Sequence, residues 1–107
     1  MRQLLIVETR DGADHKDPAQ MVELAIGMRR GGIPTTIFLA ENGAFNARGG
    51  GHCRLKAAVA EGVLVAVDRF ALEERGIESG SLTDGISVAD VDLVVDGLAD
   101  GACVMWR

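Results

Sequence analysis

VLVAVDRFALEERGI, residues Val63 to Ile77, decides the fold of this chain. The segment opens with valine-rich apolar residues up to Asp68, continues with apolar and charged residues at helical spacing, and stops at Gly76. It predicts a buried strand, a sharp turn and a short helix ended by glycine. Because ligands and catalytic groups collect at the carboxyl ends of strands in an open α/β sheet, Asp68 stands where a binding or catalytic group is expected.

The same alternation of strand and helix fills the rest of the chain. Further strands are predicted at Gln3 to Glu8, Pro34 to Ala40 and Ala102 to Trp106, beside the strand at residues 63 to 67. Helices are predicted at Asp17 to Arg30, Arg54 to Glu61, Arg69 to Arg75 and Ser87 to Leu98, with a helical turn within Gly43 to Arg48. These elements predict an α/β fold: a three-layer α/β/α sandwich on a mostly parallel sheet of four to five strands, in one domain over residues 1 to 107.

Two of the helix starts rest on capping patterns. Asp17 is expected to cap the first long helix, since Pro18 follows it at the first helical position. Ser87 to Asp90 resembles a capping box with an acidic third position, so the last helix is predicted to begin there.

The charge of the chain argues against two classes of partner. With 11 basic and 16 acidic side chains the net charge is −5, which opposes binding to nucleic acid or to an anionic membrane. No apolar run approaches the length of a membrane span or of a signal peptide, so a cytoplasmic protein is expected. Residues 61 to 100 carry a net −8 and residues 1 to 60 a net +2. This polarity fits a solvated acidic face or an orientation signal for a neighbouring subunit.

The cysteines and histidines indicate neither a disulfide framework nor a metal site. Cys103 lies in an apolar strand segment and is expected in the core, whereas Cys53 is flanked by His52 and Arg54. No His, Cys or Asp pair has a recognised ligand spacing. The glycine run at residues 49 to 51 lacks the lysine and hydroxyl residue of a phosphate loop. We expect no metal and no cofactor.

The order of the segments resembles the DsrE/DsrF/DsrH-like family over nearly the whole chain. The likeness is carried by TTIFLAENGA at residues 35 to 44, VAVDRFALEERGI at residues 65 to 77, and GISVADVDLVVDGLADG at residues 85 to 101, followed by a strand ending in tryptophan. The resemblance implies a small α/β protein of sulfur relay that assembles into trimers or hexamers, alone or with other DsrE-like subunits.

Asp68 is where this chain departs from the sulfur-carrying members. The resemblance implies a persulfide cysteine at that position, eight residues ahead of Gly76. An aspartate has no thiol and carries no sulfur. Its chemistry leaves three roles: a helix N-cap, a polar contact to a ligand or a neighbouring subunit, and general acid–base work. We therefore expect a non-carrying binding or assembly subunit of sulfur metabolism, which works as a homo-oligomer or beside other relay proteins.

Two other functions stay open. A sulfurtransferase would use Cys53 as its catalytic persulfide acceptor, with His52, Arg48 or Arg54 favouring the thiolate. A small-molecule site, for an anion or a thiol metabolite, would form at a subunit boundary from the loops at residues 9 to 16 and 41 to 52 together with Asp68. The candidate ligand or interface residues are Arg10, His15, Lys16, Asn42, Arg48, His52 and Asp68.

A phosphoacceptor receiver domain is the main rival outside this family. It shares the doubly wound architecture and also places an aspartate after the third strand, where Asp68 lies. Glu8 and Asp11 would supply its acidic pair, but its late lysine is missing, since no lysine follows Lys56. The sequence therefore disfavours phosphoryl transfer.

Overall fold

The computed structural model describes residues 2–50 and 54–107 of the chain. The strands are β1 (Leu4–Glu8), β2 (Thr35–Leu39), β3 (Leu64–Asp68), β4 (Ile86–Ala89) and β5 (Cys103–Trp106). The α-helices are α1 (Asp17–Arg30), α2 (Leu55–Ala60), α3 (Arg69–Glu74) and α4 (Asp92–Ala99), and short 3₁₀ helices lie at Glu41–Ala47 and Ser79–Ser81. Among the residues just given, no helix is long and apolar enough to cross a membrane.

All five strands run parallel in the order β4-β3-β2-β1-β5. The α/β sandwich predicted from the sequence is therefore confirmed, and within residues 2–50 and 54–107 the sheet has five strands, all parallel. Every residue of β1 is buried, as expected for a strand whose two faces are both covered. Because the strands are parallel, their carboxyl ends lie along one edge of the sheet, where Glu8 and Asp68 are the last residues of β1 and β3.

The two faces of the sheet are covered unequally. On one face α1, α2 and α3 pack on alternate strand residues, and seventeen of the described residues form a single buried apolar cluster there. On the other face only five form a cluster, in which Val94 of α4 packs over the sheet, and Gly97 lets that helix approach Leu5. Leu64 on β3 is consequently 55% exposed. The outer side of α4 adds Val95 and Leu98, exposed by 57% and 58%.

The prediction that a helix begins at Ser87 to Asp90 is wrong. Ile86–Ala89 forms β4, and α4 begins only at Asp92. The segment pairs in parallel with β3, with Val67 opposite Val88, and the Ser87 hydroxyl donates to the Val65 carbonyl oxygen at 3.5 Å instead of capping a helix. Alternating β-branched residues beside an unpaired strand edge thus outweigh a four-residue capping pattern.

The prediction that Cys103 lies in the core is also wrong. β5 is an edge strand that pairs with β1 alone, and Cys103 is exposed. The apolar composition of residues 102 to 106 suits a buried strand, but one neighbour and one partly covering helix leave the side chains of β5 half-buried or exposed. Its thiol is therefore accessible to reagents in this chain.

Candidate functional site

A cavity of about 460 Å³ opens at the carboxyl edge of the sheet, where the sequence places Asp68. Pockets of this size are typical of small-molecule sites, which are largely apolar with a few polar groups. Its lining residues are Ala40, Glu41, Asp68, Phe70, Ala71, Glu74, Arg75, Val91 and Trp106. They come from the ends of β2, β3 and β5, from α3 and from the residue before α4. We call this cavity the carboxyl-edge pocket.

Asp68 caps α3 at the base of this pocket. Its extended backbone is the usual conformation for an N-cap, and its Oδ2 accepts a hydrogen bond from the Ala71 amide at 3.3 Å. The capping role expected from the sequence is therefore present. The side chain is half-buried, and Oδ1 accepts no hydrogen bond from the residues that the structure describes.

Glu41 enters the same pocket in an uncommon backbone conformation. Its φ is +51°, the left-handed region that L-residues other than asparagine and aspartate rarely adopt. Two residues further on, Gly43 packs against the Glu8 carbonyl, and a Cβ there would overlap that oxygen. The segment after β2 therefore contains both a left-handed residue and a position that requires glycine.

Arg75 is the one cationic side chain that lines the pocket, and its guanidinium already has partners within the protein. Its Nε donates to Asn42 Oδ1 at 3.1 Å, and its Nη1 donates to the Ala71 carbonyl at 3.3 Å. Glu74 lies 3.9 Å from the same guanidinium. Asn42 thus reaches the pocket through Arg75 and is not itself a lining residue.

Two aromatic side chains form the open side of the pocket. Phe70 and Trp106 are each 64% exposed, a large solvent contact for residues of this size. Exposed aromatic side chains beside a cavity are a common feature of binding surfaces.

The other site residues expected from the sequence are placed elsewhere. Arg10, His15 and Lys16 are exposed in the loop before α1 and are not among the lining residues of the carboxyl-edge pocket. Arg48 stacks on Phe45, with 4.9 Å between its guanidinium carbon and the ring centroid, and donates to the Phe45 carbonyl.

The candidate site at Cys53 is a separate case. Cys53 and His52 lie outside the described residues. Arg54, one of the two arginines expected to favour its thiolate, is paired with Glu23 of α1 at 2.6 Å.

A second polar cluster, which the sequence did not predict, closes the end of β1. Glu8 is fully buried, and its Oε2 accepts from the Arg10 amide at 3.1 Å. Asp17 Oδ1 accepts from Arg107, with Nε at 3.0 Å and Nη2 in contact. Glu8 Oε1 and Asp17 Oδ2 receive no hydrogen from the described donors, so a hydrogen bond between the two carboxyl groups gives both a partner. In the sequence, the only sign of this cluster is the carboxylate of Glu8 at the end of an otherwise apolar strand.

The expectation that Asp17 caps α1 is consequently wrong. Pro18 does stand in the first turn, but Asp17 is already helical and makes no capping hydrogen bond. Its carboxyl is turned toward Arg107, where a charge-assisted bond to a guanidinium is stronger than a bond to an amide.

The carboxyl pair shifts the pKa of both members. Burial, together with the hydrogen bond to Asp17, raises the pKa of Glu8 from 4.5 to about 7. The hydrogen bond from Glu8 lowers the pKa of Asp17, and Arg107 adds to that effect. One proton is thus held on Glu8 while Asp17 stays ionised beside the arginine. No group of three or more metal-ligating side chains occurs within residues 2–50 and 54–107.

The fold is shared with proteins of solved structure. The ychN protein from E. coli has a TM-score of 0.86 and 19% identity, with all of both chains covered. MTH1491 from Methanobacterium thermoautotrophicum has a TM-score of 0.76 and 15% identity over 98% of this chain and 99% of that one. BT1422 from Bacteroides thetaiotaomicron has a TM-score of 0.69 and 17% identity over 99% and 95% of the two chains. The last two are described as proteins of unknown function.

These similarities define the class of protein by its fold alone. The chain is a small α/β protein with a five-stranded parallel sheet of the kind found in those three structures. No protein-family model matches it, and no curated protein sequence matches it significantly.

Proposed function

We propose that this chain is a DsrE-like binding or assembly subunit that does not carry sulfur. The observation that carries the proposal is the position of Asp68, which ends β3, lines the carboxyl-edge pocket and caps α3. In the carriers that the sequence resembles, a cysteine stands at this position. A carboxylate oxygen in its place forms no persulfide, since that bond requires a sulfur nucleophile.

The uneven covering of the sheet supports assembly as a homo-oligomer. Leu64 is exposed on the sheet face that α4 covers only in part, and Val95 and Leu98 are exposed on the outer side of α4. Exposed apolar side chains that lie close together commonly mark interfaces. The neighbouring groove is acidic, with Asp92, Asp96 and Asp100 among its lining residues. Basic side chains of a second copy would be the contacts that this groove favours electrostatically. In this proposal the subunit is one cytoplasmic domain, a trimer or hexamer, alone or with other relay proteins.

Intact-mass spectrometry after exposure to polysulfide tests the absence of sulfur carriage. Because Cys103 is exposed, it can react without any relay function, so the informative protein is Cys103→Ser. We expect no stable gain of one sulfur atom under conditions that load a known carrier. Loading that disappears in Cys53→Ser/Cys103→Ser would instead make Cys53 the acceptor and reject the proposal.

A gain-of-function variant sharpens the same test. Asp68→Cys, placed in the Cys53→Ser/Cys103→Ser background, restores a thiol at the start of α3, where a helix N-terminus favours the thiolate. We expect this variant to gain one sulfur atom, whereas Asp68→Ser in the same background does not.

A further inference from the structure

We propose that the carboxyl-edge pocket binds a small organic cation, one whose charged amine or guanidinium is attached to an apolar or aromatic body. This inference rests on the proposed binding role at Asp68 and names its ligand class. The small anion considered from the sequence is a poorer match to the groups that line the pocket.

The charge of the pocket is the first reason. Three carboxyl groups line it, those of Glu41, Asp68 and Glu74, against the single guanidinium of Arg75. Arg75 lies 3.9 Å from the Glu74 carboxylate, which offsets part of its charge, and two of its N–H groups already donate to Asn42 and to the Ala71 carbonyl. A cation therefore enters a field that favours it, and an anion enters one that opposes it.

The open aromatic side chains are the second reason. Trp106 and Phe70 stand at the pocket with most of their surface exposed. The face of a tryptophan ring attracts a cation more strongly than that of any other side chain. An apolar body bound beside the cation would cover these rings and Val91, and so remove apolar surface from water.

The two unengaged carboxylates give the third reason. Asp68 uses one oxygen to cap α3 and leaves the other without a described donor, and Glu41 makes no ion pair with the described cations. Arg48, the arginine closest to it in sequence, is occupied by Phe45. Both carboxylates are therefore available to a ligand.

Fluorescence of Trp106 gives a direct assay, because the chain has one tryptophan and no tyrosine. Three probes share a benzyl body: benzyltrimethylammonium, benzyl alcohol and phenylacetate. We expect a saturable change in emission with the cation, a much weaker response to the alcohol and the weakest to phenylacetate. Added salt should weaken only the response to the cation.

Matched variants, followed by calorimetry as well as fluorescence, assign the site. Glu41→Gln and Asp68→Asn should each weaken binding of benzyltrimethylammonium roughly threefold to fivefold, the value of one exposed ion pair. Trp106→Ala should weaken it by roughly fivefold or more. Glu73→Gln removes the same charge from α3 at a residue outside the pocket lining, so its affinity should equal that of the wild type.

Three outcomes would overturn the inference. They are equal affinity for all three probes, preference for phenylacetate, and no saturable binding by a protein whose circular dichroism shows it folded. A response that appears only on dilution, as self-association is lost, would mean that a basic side chain of a second copy fills the pocket, and would also reject a free ligand. None of these results depends on sulfur loading, so failure here and failure of the proposed function are separable.

Discussion

Glu8 and Asp17 form a hydrogen-bonded carboxyl pair at the end of β1, with Glu8 closed to solvent and Asp17 bound to Arg107. Two ionised carboxylates repel each other, so the pair is most stable when it shares one proton. The sheet, the start of α1 and Arg107 are thereby joined through one titratable group.

This pair makes the stability of the protein depend on pH. The pKa of Glu8 is about 7 in the folded chain against an ordinary 4.5, so between these values the folded state keeps a proton that the unfolded chain has lost. The free energy of unfolding therefore falls as pH rises through this window, by up to about 1.4 kcal/mol per pH unit. Asp17 acts oppositely: its lowered pKa means that its contribution is lost as pH falls below 3.8.

Urea denaturation across this pH range tests the assignment. Glu8→Gln keeps a hydrogen-bond donor toward Asp17 and has no proton to lose, so we expect its stability to vary less between about pH 5 and about pH 8. Glu73→Gln, an exposed change on α3, should retain the wild-type slope. A slope unchanged by Glu8→Gln would assign the pH dependence to another group.

Asp68 should contribute to stability as a cap, whatever it binds. Asp68→Ala removes the acceptor of the Ala71 amide and should lower the free energy of unfolding by about 1 kcal/mol. Asp68→Asn retains an acceptor oxygen and should stay within a few tenths of a kcal/mol of wild type. Chemical denaturation of the two variants compares them directly, and equal losses would contradict the capping role.

Two glycines give opposite predictions for the same substitution. Gly43→Ala places a methyl group into the Glu8 carbonyl and should destabilise the protein by about 1–3 kcal/mol, as overpacking does. Gly27→Ala lies in α1 with nothing within 4 Å of the new carbon, and should stabilise by roughly 0.5–1 kcal/mol. Thermal and urea unfolding measure the change in stability of both variants. A neutral Gly43→Ala would mean that the backbone at Gly43 moves away from the Glu8 carbonyl without cost.

Self-association should depend on the apolar side of α4. Val95→Arg introduces a charge among the exposed apolar residues of α4, and we expect it to shift the species seen by sedimentation toward the monomer. Gln20→Arg adds the same charge on an exposed position of α1 and should leave the distribution unchanged. A wild-type protein that sediments as a monomer of 11.3 kDa at micromolar concentration would remove the oligomer proposal.

The sequence was sufficient for the fold because its signals are local and repeated. Apolar runs such as Val63 to Val67, followed by helical spacing and glycine, predict parallel strands and crossovers, and the sheet has them. Edge strands are harder to predict. Ser87 to Asp90 has the composition of a helix cap, and the segment around Cys103 has the composition of a core strand. The residues of a strand do not by themselves determine how many neighbouring strands it acquires, so both predictions were wrong.

Much of the site could not be predicted from the sequence. A helix cap was one of three roles that the sequence left to Asp68, and its place between strand and helix suggested it because both signals lie within a few residues. The pairing of Glu8 with Asp17 and Arg107 joins positions up to 99 residues apart, and no local pattern reports such a distance. The carboxyl-edge pocket likewise takes Glu41 and Trp106 from opposite halves of the chain.

The position of β1 also sets an order of events during synthesis. β1 pairs with β2 on one side and with β5 on the other, Leu4 lying between Thr35 and Cys103. Ribosomes make the chain from the amino end, so β1 to β4 can associate while one edge of β1 still lacks its neighbour. That edge carries the most buried apolar strand of the protein, and exposed strand edges of this kind invite pairing with other chains. Until residues 103 to 106 pair with β1, this edge is therefore open to pairing with another chain.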